Sequence, residues 1–211
     1  MPVDSLPSWI SPSTQSLMEA LKIKDHYTYY HCIRVSKLAK KMAQELGLSE
    51  KDQIIIEGAA LFHDLGKIGV PNEILCKPSK LTPKEFEIMK KHPEFSVEIL
   101  KPLSNEPYIE MMLPGILHHH ERIDGKGYPV GLSNENIPLS SRVILVVDAF
   151  DAMTTSRPYR EKLSTQTAYK ELNLFAGSQF DNYITQLFLQ KHPTWGDLDQ
   201  YEVDRSIKKA A

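Results

Sequence analysis

Ile54-Ile55-Ile56-Glu57-Gly58-Ala59-Ala60-Leu61-Phe62-His63-Asp64 is the stretch on which the fold turns. From residue 54 to 62 it is apolar nearly all round, the mark of a helix buried at the centre of a core. Ser49, with Asp52 three residues on, supplies a helix start just upstream. The buried helix therefore delivers an adjacent imidazole and carboxylate, His63 and Asp64, at its C-terminal end.

Upstream, His31, Val35, Leu38, Met42 and Leu46 form a helical stripe stopped by Gly47. His31 lies on that stripe, so its imidazole points inward. Downstream, Thr82-Pro83-Lys84-Glu85 combines an N-cap threonine, a proline at the first helical position and a glutamate at the third. The helix it starts carries Phe86 and Met89 and is expected to end at His92, just before Pro93. A short helix is expected over residues 94–100, and another leads into His118-His119-His120, with Pro114 kinking it or delaying its start. Residues 122–138 hold Asp124-Gly125, Gly127, Gly131 and Pro138 and read as loop. Residues 143–147 are mostly β-branched, but no other strand is available to pair with them. The segment continues through Asp148, Phe150, Asp151 and Met153, so it reads as helix. Two more helices, near residues 164–175 and 181–190, close an all-α domain of six to nine helices.

The chain has 211 residues, 41% of them hydrophobic, which suits one domain with a real core. Residues 1–24 read as a flexible lead-in, marked by Pro2, Pro7 and Pro12, and a short helix. Residues 25–190 form the domain that carries the chemistry, and residues 191–211 a tail. No apolar run approaches the roughly 20 residues that span a bilayer. No basic patch followed by an apolar stretch opens the chain, so a cytoplasmic location is expected. A net charge of −2 argues against general DNA or RNA binding. Cys32 and Cys76 are too few and too far apart for a disulfide framework, and read as two buried, reduced thiols.

His31, His63-Asp64, His92, His118-His119-His120 and Asp148 lie at or near the ends of these helical segments. Imidazole and carboxylate are ligands of Zn, Fe and Mn. One such histidine is more often a core residue, but so many together point to metal.

The ordered set also carries a resemblance. His31, Leu61-Phe62-His63-Asp64-Leu65-Gly66-Lys67, His92, His119-His120-Glu121, the run from Asp124-Gly125 to Gly127-Tyr128-Pro129, and Asp148 with Asp151 strongly resemble the HD-GYP family. These are HD-superfamily phosphohydrolases that degrade cyclic di-GMP. The likeness runs from about Asp25 to Gln190 and includes Ile68-Gly69-Val70-Pro71, Lys80-Leu81-Thr82, Ile137-Pro138-Leu139 and Arg157-Pro158-Tyr159-Arg160. It implies an HD-domain helical bundle with a Gly/Pro-rich loop at the mouth of the site. It implies hydrolysis of cyclic di-GMP to linear pGpG, or further to GMP, at two divalent ions. Two metals about 3.5–4 Å apart suit that reaction, acidifying a bridging water and clamping the phosphate.

By the resemblance Asp64 bridges the ions; one takes His31, His63 and Asp148, the other His92, His119 and His120. A His-rich, carboxylate-bridged pair suits Fe(II) or Mn(II), which the resemblance favours over Zn. Lys67 is expected to place its ammonium on a phosphate oxygen. Asp151, one turn past Asp148, either takes a proton, holds Lys67 or a coordinated water, or forms a helix-internal salt bridge. Tyr128 is expected to stack on a guanine, and Arg157, with Arg160 behind it, to contact phosphate or base. His118 is expected to face away, and Glu121 to orient a ligand imidazole. The Gly127-Tyr128-Pro129 loop is also a protein-contact surface in the family, so a diguanylate cyclase or another signalling protein is an expected partner.

One position departs from the family pattern. Some members carry a glutamate four residues before the first histidine that recruits a third metal. Tyr27 stands there, and Asp25 lies off the helical face, so a binuclear site is expected. Two other readings remain open: a phosphodiesterase for cyclic GMP-AMP, and a low-activity cyclic-dinucleotide sensor or adaptor. Only about 25 residues precede the resemblance, which suits a stand-alone unit or regulation in trans. A dimer through the N-terminal helices is compatible with the sequence.

Overall fold

The computed structural model describes residues 6–156 and 161–196. Within them lie nine α-helices of seven residues or more and one single turn, with no extended strand. In chain order they are α1 (Pro12–Lys24), α2 (His26–Glu45), α3 (Glu50–Phe62), the single turn α4 (Asn72–Leu75) and α5 (Pro83–Met89). There follow α6 (His92–Leu100), α7 (Ile109–Leu117), α8 (Leu139–Thr154), α9 (Thr165–Leu174) and α10 (Asn182–Lys191). Among the described residues no helix is long and apolar enough to cross a membrane.

The helix starts carry the caps their sequences encode. Asp25 accepts hydrogen bonds from the backbone N–H groups of Tyr27 and Thr28 to start α2, so it serves as a cap. Ser49 accepts from Asp52 N at α3, and Thr82 and Glu85 close a reciprocal capping box at α5. Helix α3 is the centre of the bundle: Ala59, Ala60, Leu61 and Phe62 are fully buried, with α2, α7 and α8 packed around them. Burial of a side chain such as Phe62 contributes about 1.5–3 kcal/mol. On α2, His31, Val35, Leu38 and Met42 are buried as their spacing requires, and Gly47 ends the run at φ 68°.

Several boundaries differ from expectation. His92 opens α6 instead of closing α5, and Pro93 sits in the first turn of α6, where a missing N–H costs nothing. Helix α7 runs through Pro114. Leu6, Trp9 and Ile10, in the expected lead-in, pack against the core, and Trp9 donates to buried Glu57 at 3.0 Å. Beyond residue 190, His192 is buried against Phe150 and Phe188. Cys32 is buried, but Cys76 is exposed, because the single turn of α4 buries only Ile74.

Candidate metal centre

Five helices direct side chains to one point. The N-terminal half of α2 supplies His31, the end of α3 His63 and Asp64, and the first residue of α6 His92. His119 and His120 follow the end of α7, and α8 brings Asp148. Their ligand atoms form two groups, each within 4.8 Å: His31, His63 and Asp64, and His92, His119 and His120. Asp64 reaches both. Its Oδ1 lies 3.1 Å from His92 Nε2, and its Oδ2 3.4 Å from His63 Nε2 and 3.6 Å from His31 Nε2. Asp148 Oδ1 lies 3.0 Å from His31 Nε2. His120 and Asp148 are the half-buried members of an otherwise buried set, so the centre opens on their side.

The rings are oriented from behind. His63 Nδ1 lies 2.7 Å from Ala60 O, His92 Nδ1 2.7 Å from Met89 O, and His119 Nδ1 2.6 Å from Ile116 O. A carbonyl can only accept, so each Nδ1 carries a proton, and in the neutral ring each Nε2 turns a lone pair to the centre. His63 Nε2 is buried there without a hydrogen bond. The Nε2 atoms of His92 and His119 face each other at 3.2 Å, two lone pairs that a cation between them would satisfy. The donor set fits divalent metal ions.

Electrostatics agree with that fit. Burial pushes His63 down and His119 well down, and it carries His120 to about 3, so these rings stay neutral. Burial also opposes charge on Asp64, but Lys67 and the surrounding imidazoles hold it well below the usual carboxylate range. Lys67, on the 3-10 turn Leu65–Gly69, brings Nζ to 2.5 Å from Asp64 Oδ2.

Asp151 differs from its expected catalytic place. Its Oδ2 lies 2.7 Å behind the His31 ring, on Nδ1, and both its oxygens accept from Arg34, at 2.6 and 2.9 Å. It forms an inter-helix ion pair with Arg34 behind the His31 ring. Arg34, only 1% exposed, escapes sequence reasoning; the one available signal is an arginine a turn beyond His31 on a buried helix. Ser96 escapes it too. Its hydroxyl accepts from Gly66 N at 2.7 Å and lies 2.9 Å from His63 O, tying α6 to the His63-Asp64 turn. Gly66 is required there, since a Cβ would stand 2.0 Å from His92 O.

Glu121 also differs from expectation. Its buried carboxylate accepts from three consecutive loop N–H groups, Val130, Gly131 and Leu132, at 2.7–3.0 Å. It clamps the loop instead of orienting a ligand ring. Gly127 passes so close to the backbone of residues 120–122 that a Cβ would meet three atoms at 2.5 Å. The clamp sets the Tyr128 ring against His120, at 4.7 Å between centroids and 30° between planes. His118 stays out of both ligand groups, with Nδ1 3.6 Å from Glu121 Oε1. Tyr27 stacks on His31 at 6.1 Å. Arg157 and Arg160 lie outside the described residues.

An all-helical bundle with a His-Asp pair at a buried helix end, ringed by further histidines, defines the HD class of helical domain. The model of the HD domain family matches residues 10–184. The chain belongs to that family and, by His119-His120-Glu121 and Gly127-Tyr128-Pro129, to its HD-GYP group. A cyclic di-GMP phosphodiesterase of Thermotoga maritima is 40% identical over 181 residues, 86% of this chain and 49% of that protein. A cyclic di-GMP phosphodiesterase response regulator of Xanthomonas campestris is 42% identical over 165 residues, 78% of this chain and 43% of that protein. The chain thus spans about half the length of these curated relatives. A solved structure of a cyclic GMP-AMP specific phosphodiesterase of Vibrio cholerae shares the fold. Its TM-score is 0.60 at 20% identity, over 87% of this chain and 48% of that one.

Proposed function

We propose that the chain is a metal-dependent phosphodiesterase domain that opens cyclic di-GMP to pGpG, with cleavage to GMP open to the same centre. The observation that carries this reading is Asp64, one oxygen toward each of two imidazole groups. Similarity to proteins named cyclic di-GMP phosphodiesterases supports it.

His31, His63 and Asp148 would hold one divalent ion, His92, His119 and His120 the other, and Asp64 would be shared; Fe or Mn suits these donors. Two such ions supply Lewis acidity to the phosphoryl oxygens and a water made acidic enough to attack. The chain supplies the rest. Lys67 Nζ, already beside Asp64, places a positive charge where a phosphate oxygen must lie, which stabilises charge developing there. Asp151 and Arg34 fix the His31 ring from behind. Tyr128, kept protonated by burial, offers its ring to a guanine at the mouth, on a loop that Glu121 holds in place. A diguanylate cyclase or another signalling protein would meet the outer side of that loop, where Val130 is exposed.

The test is anaerobic loading with Fe(II) or Mn(II), then chromatography of cyclic di-GMP and, in parallel, cyclic GMP-AMP. Conversion of cyclic di-GMP to pGpG that disappears in Asp64→Ala is the expected result. Turnover of cyclic GMP-AMP alone would change the substrate. No turnover and no bound metal would favour the adaptor reading and sink the mechanism.

A further inference from the structure

Helix α5 buries none of its residues, yet it is firmly anchored. Its capping box pins the start, and Lys77 donates to both oxygens of Glu85, at 2.8 and 2.6 Å. At its other end Met89 O accepts a hydrogen bond from His92 Nδ1, so the helix is coupled directly to the metal centre. Between these anchors Phe86 is 46% exposed. Its ring meets Tyr128 edge-on, 6.4 Å between centroids at 80°. Lys90, which also pairs with Glu87 at 2.6 Å, holds Nζ 5.4 Å from the Phe86 ring and 5.8 Å from the Tyr128 ring.

The rings of His120, Tyr128 and Phe86 thus form an arc from the metal ligands to the rim, with an ammonium over its outer two members. The Tyr128 face toward His120 is taken. The exposed ring of Phe86, set across the edge of Tyr128 beside a cation, forms an apolar corner suited to one flat, electron-rich partner that carries negative charge nearby. A purine base attached to a phosphodiester has both properties: an aromatic face for the rings and charge for the ammonium.

We propose that Phe86 and Lys90 form a base subsite for the cyclic dinucleotide, with Phe86 packing a purine against Tyr128 and Lys90 neutralising the adjoining phosphodiester. The inference rests on the cyclic-dinucleotide reading and adds residues of α5 to it.

The test compares Phe86→Ala, Phe86→Tyr, Lys90→Ala and Lys90→Arg with the wild type, all metal-loaded. Cyclic di-GMP and bis(p-nitrophenyl) phosphate, which has no base, serve as substrates. The alanine variants are expected to raise KM for cyclic di-GMP about tenfold, the order of one lost base stack, with kcat nearly unchanged. Metal content should stay at wild-type levels in all four variants and turnover of the base-free diester should do so in the Phe86 variants, and the tyrosine and arginine variants should recover most of the affinity. An unchanged KM for cyclic di-GMP in either alanine variant, or a parallel loss on both substrates in Phe86→Ala, would overturn the proposal. GMP binding, followed by calorimetry, separates this proposal from the reading beneath it. If the wild type turns over no cyclic dinucleotide, that reading fails; GMP affinity lowered in Phe86→Ala would still support the subsite, and unaltered affinity would overturn it.

Discussion

His31 should lose a proton when metal binds, and the cost can be worked from its surroundings. Burial opposes charge on this ring, but Asp148 and Asp151 outweigh it and hold its pKa up at about 9. Coordination requires neutral imidazole, so uptake of a cation must expel that proton. His63, His119 and His120 are shifted the other way and are already neutral at pH 7. At pH 7.5, about 1.5 pH units below the His31 value, expelling its proton costs about 2 kcal/mol. Affinity for Mn(II) should therefore rise about tenfold per pH unit from pH 6.5 to 8.5. Calorimetric titration in Pipes and in Tris, whose ionisation enthalpies differ, should show about one proton released per chain. Metal-free stability should run the opposite way. A raised histidine pKa stabilises the fold fully below the ordinary value of 6.5, and that contribution is lost as pH rises through about 9. Asp151→Asn should reduce the proton release at fixed pH. Affinity that stays flat with pH, with no buffer-dependent enthalpy, would refute the assignment of the proton to His31.

Arg34→Met leaves the buried Asp151 carboxylate with His31 and a long hydrogen bond from Thr155 Oγ1 at 3.4 Å, and breaking a buried pair in this way costs about 3–5 kcal/mol. Urea unfolding of the metal-free protein checks it, and a loss below about 1 kcal/mol would show that the pair contributes little. Glu121→Gln sets an amide NH2 among three backbone donors that need an acceptor. Exchange at Val130, Gly131 and Leu132 should accelerate about tenfold or more in hydrogen–deuterium measurements, while α3 stays protected. Wild-type exchange in this loop would remove the clamp from the account.

What the sequence made legible is what repeats or is contiguous. The His31 stripe follows the helical period, and the buried run of α3 announces the adjacent His63 and Asp64 at its end. Proline blurred one boundary, because Pro93 reads the same after a helix end as within a first turn. Pairings between distant segments left no local trace. Arg34 and Asp151 are 117 residues apart, and an arginine on a helix ordinarily reads as solvent-facing. Glu121 was legible as part of the His119-His120-Glu121 motif, but its task was not. A side chain that serves backbone amides imposes no residue type on them. Cys76 was misjudged for the converse reason: its thiol reads as apolar, but the short turn that carries it has no neighbour to cover it.

The ends of helices explain why most of the ligand histidines lie where they do. A last helical turn leaves carbonyls without intrahelical partners, and such a carbonyl is a fixed acceptor for imidazole Nδ1. His63, His92 and His119 each use the carbonyl three residues earlier, those of Ala60, Met89 and Ile116. For Met89 the freedom is enforced by sequence, because the residue four positions on is Pro93, which has no N–H to offer. His31 lies inside α2, where the carbonyls behind it are committed to the helix. Its ring must take an acceptor from another helix, and Asp151 of α8 provides one. A second carboxylate at this depth then needs a counter-charge, which Arg34 supplies from the next turn of α2. The buried Arg34–Asp151 pair is thus a consequence of placing one ligand histidine in mid-helix while His63, His92 and His119 each follow a helix end.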